Sequence, residues 1–122
     1  NVFLATATFE DQVLAANIMI DFGGTRTYLH GASSNLNRNL MAPYLLHWYL
    51  IKDAKHKGIN WYDWWGVCDK NDKNHQWAGI TRFKLGFGGE DVEYAGTYDY
   101  THKPVQYLMY RHVRYIKNLI KK

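Results

Sequence analysis

A chain of 122 residues with 47% apolar residues is one domain, or a piece of one, with enough apolar mass for a core. The single cysteine, Cys68, excludes an intrachain disulfide framework and fits a reducing cytosol. The net charge of +4 is unevenly spread, and no apolar run approaches the roughly 20 residues of a membrane span.

The start, "VFLATAT", carries β-branched and apolar residues and predicts a strand. It reads as the middle of a sheet, with neither the charged nor the apolar region of a signal peptide. The expectation is a chain that begins inside a larger cytoplasmic protein. "FEDQ" is turn-like, and "VLAANIMIDF" predicts a second, buried strand. Gly23 and Gly24 close a hairpin to a third strand, "TRTYLHGAS". After the polar loop "SSNLNRN" the period changes. "APYLLHWYLIKDAKHKG" sets Tyr44, Leu45, Trp48, Ile51 and Lys52 at helical spacing, with Pro43 in the first turn and Gly58 as the stop. "INWYDWWGV" predicts a buried strand, "CDKNDKN" a charged loop, and "HQWAGITRFKLG" a short helix stopped at Gly86. "VEYAGTYDY" predicts one more strand. "KPVQYLMYRHVRYIKNLIKK" predicts a last helix, with Val105, Leu108, Met109, His112, Val113 and Ile116 recurring at three and four. Three meandering strands followed by alternating helix and strand give an α/β (α+β) fold, a mixed sheet with helices on its faces. The first helix is expected to make a right-handed crossover to a parallel strand.

An aromatic share of 16%, with ten Tyr and five Trp, suits interfaces and substrate grooves as well as cores. Cys68 has no cationic neighbour nearer than Lys70 and reads as a structural thiol. The six histidines show no metal-ligand spacing, so no metal is expected. Arg111, Arg114, Lys117, Lys121 and Lys122 form a basic end without an acid. Such an end attracts RNA or anionic lipid, and a solvated helix with cations at its dipole end fits equally.

Four segments, "YLHGASS", "APYLLHW", "YDWWGV" and "FKLGFGG", stand in order at fixed intervals. Together they resemble the C-terminal domain of the Fem (FemABX) aminoacyltransferases, over nearly the whole chain. The resemblance implies a GNAT-like acyltransferase fold, as one of two such domains, with the N-terminal GNAT-like domain missing here. It implies transfer of an aminoacyl group from aminoacyl-tRNA to an amine on a peptidoglycan precursor's stem peptide. That precursor is nucleotide- or lipid-linked, so peripheral association with the inner leaflet is a further expectation. No cofactor is implied beyond aminoacyl-tRNA as donor.

Attack of an amine on an activated ester needs positioning and charge stabilisation more than covalent help. The resemblance carries Lys84 into the site for the substrate and the tRNA end, with Phe83 beside it. A lysine next to an uncrowded glycine turn suits a phosphate or an oxyanion. A surface lysine after a short helix, with Phe83 and Phe87 in the core, fits the same residues. His30 stands where the family commonly has an aromatic, and a histidine there offers a base near neutrality. A buried, hydrogen-bonded histidine is the plainer reading. Ser33, Ser34, Asn35, Arg38 and Tyr44 are assigned with Phe83 to substrate binding, and Arg111, Arg114 and Lys117 to tRNA. Asp63 and Asp99 read as acids that bond loops or caps. An acyl-CoA-dependent N-acyltransferase would want a glycine-bearing pyrophosphate loop where "NRNLMAP" stands without glycine. A non-catalytic module that binds RNA or wall precursor remains open.

Overall fold

Two tight turns build the sheet. β1 (Val2–Phe9) and β2 (Gln12–Phe22) pair antiparallel through Glu10 and Asp11, whose φ angles are 46° and 60°. β2 pairs antiparallel with β3 (Thr25–Ser33) through Gly23 and Gly24, at 57° and 76°. Positive φ at both central residues is the hairpin turn that matches strand twist. The structure, a computed structural model, describes residues 1–120. Lys121 and Lys122, part of the expected basic end, lie outside the described residues.

A short 3-10 helix, Arg38–Leu40, leads into α1 (Ala42–His56). Pro43 lies in the first turn as its fixed φ favours. Gly58, at φ 71°, ends the helix in a left-handed cap. Its amide donates to the Lys55 carbonyl at 3.1 Å, and that of Ile59 to Ala54 at 2.9 Å. The chain then returns as β4 (Trp61–Asp63), parallel to the start of β3, so the sheet order is β1-β2-β3-β4. The parallel pairing of β3 and β4 and the mixed sheet stand as expected. β4 is shorter than "INWYDWWGV" suggests. Trp65 has φ 61°, and its amide donates to the Asp63 carboxylate at 2.8 Å, which turns the chain out of the ladder. Asp63 is thus a loop-bonding acid.

α1 packs on one face of the sheet. Leu14, Ala15 and Met19 of β2 meet Ala42, Leu46 and Leu50, with Phe3, Ala5 and Ala7 packed beside them. The buried stripe of α1 is therefore Leu46, His47, Leu50 and Ala54, whereas Leu45 and Trp48 are exposed. This corrects the expected face. α1 is apolar almost all round, so spacing alone does not choose between two stripes. α2 (Ala78–Leu85) ends at Gly86 as expected.

Residues 1–89 form one compact unit and the rest a second. In the second, residues 91–100 take no regular structure, and α3 (Pro104–Ile120) follows. The strand expected from "VEYAGTYDY" does not form. Its residues have strand composition, but no edge of their unit pairs with them, and an unladdered backbone is no strand. Asp99 instead accepts a hydrogen bond from the Tyr107 hydroxyl.

Candidate active site

α1, α2 and the sheet meet in a cluster of rings. His47 of α1 is 1% exposed. Tyr28 and Phe83 lie edge-on to it at 4.5 Å and 5.5 Å between centroids, and Trp64 is tilted against it at 4.6 Å. Phe87 stacks on Tyr44 at 5.7 Å. The two phenylalanines of "FKLGF" thus fasten α2 to α1.

Hydrogen bonds fix the imidazole. The Asn17 amide nitrogen, a donor only, lies 3.1 Å from His47 Nε2, and the Tyr62 hydroxyl lies 2.8 Å from Nδ1. Nε2 therefore accepts, and Nδ1–H donates to Tyr62. Burial first, then the nearby Lys84 charge, pushes the His47 pKa down to about 4, so the ring is neutral at pH 7. Burial pushes the Tyr62 and Tyr28 hydroxyls up.

Lys84 points inward. It is 7% exposed, and its Nζ donates to the Gly66 carbonyl at 2.7 Å and lies 5.6 Å from the Tyr28 ring centroid. Burial lowers its pKa. The expected lysine at the edge of the helix is instead an amine enclosed behind an aromatic.

In front of Tyr28 opens a cleft of about 330 Å³, lined by Asn17, Tyr28, His47, Ile80 and Phe83 among others. Ser33, Arg38 and Pro43 line it and also an adjoining recess of about 250 Å³ that includes Ser34 and Tyr44. Gly31 makes this shape possible. A Cβ there would stand 2.6 Å from Asn17 Oδ1, and closer still to the Tyr28 hydroxyl. Gly31→Ala is therefore expected to displace Tyr28 and cost about 1–3 kcal/mol in urea unfolding, as overpacking does. An unchanged unfolding midpoint would show that Tyr28 does not rest on Gly31. Among the described residues, no three His, Cys, Asp or Glu side chains converge as a metal site.

The FemAB family model matches residues 3–115. The chain belongs to the FemAB family. It is 32% identical over 94 residues to the aminoacyltransferase FemA of Staphylococcus epidermidis, covering 77% of this chain and 22% of that protein. It is 33% identical over 94 residues to FemA of Staphylococcus aureus (strain MW2), covering 76% and 22%. The crystal structure of FemX matches with a TM-score of 0.55 and 29% identity, covering 60% of this chain and 18% of that one. This FemAB chain thus spans 22% of the length of those curated relatives.

In this FemAB chain the structure gathers Ser33, Ser34, Arg38, Tyr44 and Phe83 along one cleft and its recess. Lys84 lies behind that lining, against Tyr28. His30 does not join it. A bulge opposite Ile18/Met19 leaves Leu29 without a partner, and the alternation of β3 shifts by one. His30 then pairs with exposed Ile18, whereas Gly31 pairs with buried Asn17 on the core face. Asn35 is exposed and lines neither cavity. Arg111, Arg114 and Lys117 lie on α3, in the second unit. Sequence reasoning missed Asn17, Tyr28 and His47. Their one signal was polar groups, Asn17 and His47, inside otherwise apolar runs.

Proposed function

We propose that this chain is the part of a peptidoglycan-bridge aminoacyltransferase that shapes the acceptor groove, on a GNAT-like fold. The donor is aminoacyl-tRNA, and the acceptor is an amine on a precursor's stem peptide. The family match over residues 3–115 carries this reading. The cleft chemistry agrees with it. The aminoacyl ester is already activated, so the amine attacks the carbonyl, an oxyanion forms, the ester C–O bond breaks, and the tRNA hydroxyl leaves with a proton. His47 has both ring nitrogens engaged and orients rings rather than taking that proton. Arg38, exposed at the junction of cleft and recess, is placed for a phosphate of the donor or the precursor. Lys84 is a positioning residue: it ties the Gly66 loop to α2 and backs Tyr28 with positive charge.

The test uses the full-length protein that carries these residues, given aminoacyl-tRNA and a precursor stem peptide, with acetyl-CoA as the competing donor. Transfer from acetyl-CoA alone would sink the reading. Lys84→Met is expected to lower turnover about tenfold, with the apparent KM for tRNA nearly unchanged. The lost hydrogen bond to the Gly66 carbonyl should also cost about 1–3 kcal/mol of stability. Full turnover in a folded Lys84→Met protein would remove Lys84 from the chemistry. Residues 1–122 alone supply one wall of a groove between two domains and are expected to turn over little.

A further inference from the structure

The wall of the cleft holds one polar group that the fold fixes at one end only. Asn17 of β2 is 4% exposed and lines the cleft beside Tyr28 and Gly31. Its amide nitrogen is spent on His47 Nε2, 3.1 Å away. Its amide oxygen accepts no hydrogen bond from the described residues, and the Tyr28 hydroxyl makes none with them either. Wholly enclosed polar side-chain atoms among the described residues all have partners, so these two oxygens keep a bare surface. They are also neighbours. A Cβ on Gly31 would stand 2.6 Å from Asn17 Oδ1 and closer to the Tyr28 hydroxyl. A single nitrogen between them therefore reaches both at ordinary hydrogen-bond lengths.

We infer that Asn17 Oδ1 and the Tyr28 hydroxyl form the subsite of the acceptor amine, and that the acceptor is a primary amine. The inference rests on the transferase reading and names residues for its nucleophile. An amide oxygen only accepts, so the partner must donate. A hydroxyl brings one hydrogen and bonds one oxygen. A primary amine brings two, one for each oxygen, and keeps its lone pair for the ester carbonyl. A carboxamide also brings two, but its nitrogen is no nucleophile. No carboxylate lines the cleft, and Lys84 stands behind Tyr28 with positive charge. Nothing there holds the nucleophile as an ammonium ion, the form that cannot attack. His47 acts through Asn17: by binding the amide nitrogen it turns the oxygen towards the amine.

The experiment uses the full-length protein that carries these residues, with aminoacyl-tRNA and two stem peptides. One has a primary acceptor amine, and the other is N-methylated on that amine. The parent is expected to favour the primary amine by about tenfold or more in kcat/KM, as a site built for N–H groups does. Asn17→Ala should lower kcat/KM for the primary amine about tenfold, leave the KM for aminoacyl-tRNA unchanged, and bring the two peptides within about threefold of each other. Asn17→Asp keeps an oxygen at that place, and the other His47 tautomer can bond it, so the preference should survive. Circular dichroism checks each fold, and if Asn17→Ala does not fold, Asn17→Asp decides. No preference in the parent, a preference that survives Asn17→Ala, its loss in Asn17→Asp, or a defect confined to the KM for tRNA overturns the inference. Calorimetric titration of the primary-amine peptide and its N-acetyl form, without donor, reads the subsite apart from the chemistry. Tighter binding of the free amine that vanishes in Asn17→Ala, with no transfer to any amine, would sink the transferase reading and keep the subsite. Transfer that ignores Asn17 would sink the subsite alone.

Discussion

Arg26→Met is expected to destabilise the sheet unit by about 3–5 kcal/mol, because it removes four hydrogen bonds at once and leaves the Leu50 carbonyl and two half-buried carboxylates without their guanidinium partner. Arg26 has no exposed surface. Its Nε and Nη2 donate to the two Asp21 carboxylate oxygens, both at 2.7 Å. Its Nη1 donates to Asp53 Oδ2 at 2.7 Å and to the Leu50 carbonyl at 2.9 Å. The guanidinium thus ties a hairpin turn to the last turns of α1, with the Phe3 ring 4.9 Å away. The bond to Arg26 holds the Asp21 pKa below its usual value, and bonds to Lys57 and Arg26 do the same for Asp53. Both are acids with lowered folded values. Their contribution is therefore full above the ordinary carboxylate value, near pH 4, and is lost as pH falls through the lowered ones. Urea unfolding at pH 7 is the measurement, with Asp21→Asn and the double variant completing a cycle. A loss within about 1 kcal/mol for Arg26→Met, or strict additivity in the cycle, would mean that the pairs are electrostatically idle.

The order of elements was legible because its signals are local. Two turns, Pro43, Gly58 and Gly86 punctuate the chain where the structure does. What escaped depends on side chains distant in sequence. Arg26, Asp21 and Asp53 read as ordinary charges of a turn and a helix until the crossover brings them together. Lys84 next to three glycines reads as solvent-facing, yet the Gly66 loop and Tyr28 close over it. His30 falls outside the cleft because one unpaired residue, Leu29, shifts the alternation of β3, and a bulge leaves no mark in a period-two pattern. The strand expected at 92–100 fails for a similar reason, because composition does not name a partner edge. The residues expected to meet substrate in "ASSNLNR" and "APY" were easier to collect. They bracket a single strand-to-helix junction, and that junction forms most of one recess.

The stability of the sheet unit is expected to fall by about 3 kcal/mol as pH drops from 6.5 to 4, because of His47. A histidine in the unfolded chain titrates near 6.5. In the fold, burial and Lys84 depress that value to about 4. The folded value is the lower one, so the neutral ring is the stable form in the fold. The contribution is complete above about pH 6.5. Below that the unfolded chain takes up a proton that the folded chain refuses, and stability drains until pH 4, where the folded ring is protonated as well. Protonation of Nε2 would then turn it into a donor facing the Asn17 amide nitrogen, 3.1 Å away. Only an amide flip would answer that, and Gly31 and Tyr28 crowd the Asn17 oxygen on its present side. His47→Gln separates this effect from the carboxylates, which act at lower pH. The variant should be less stable than the parent at pH 7.5, and its deficit should shrink steadily towards pH 4.5. Urea midpoints at three pH values for both proteins decide it. A deficit that stays constant across that range would show that His47 titrates alike in the folded and unfolded chains, and that the ring cluster does not hold it neutral.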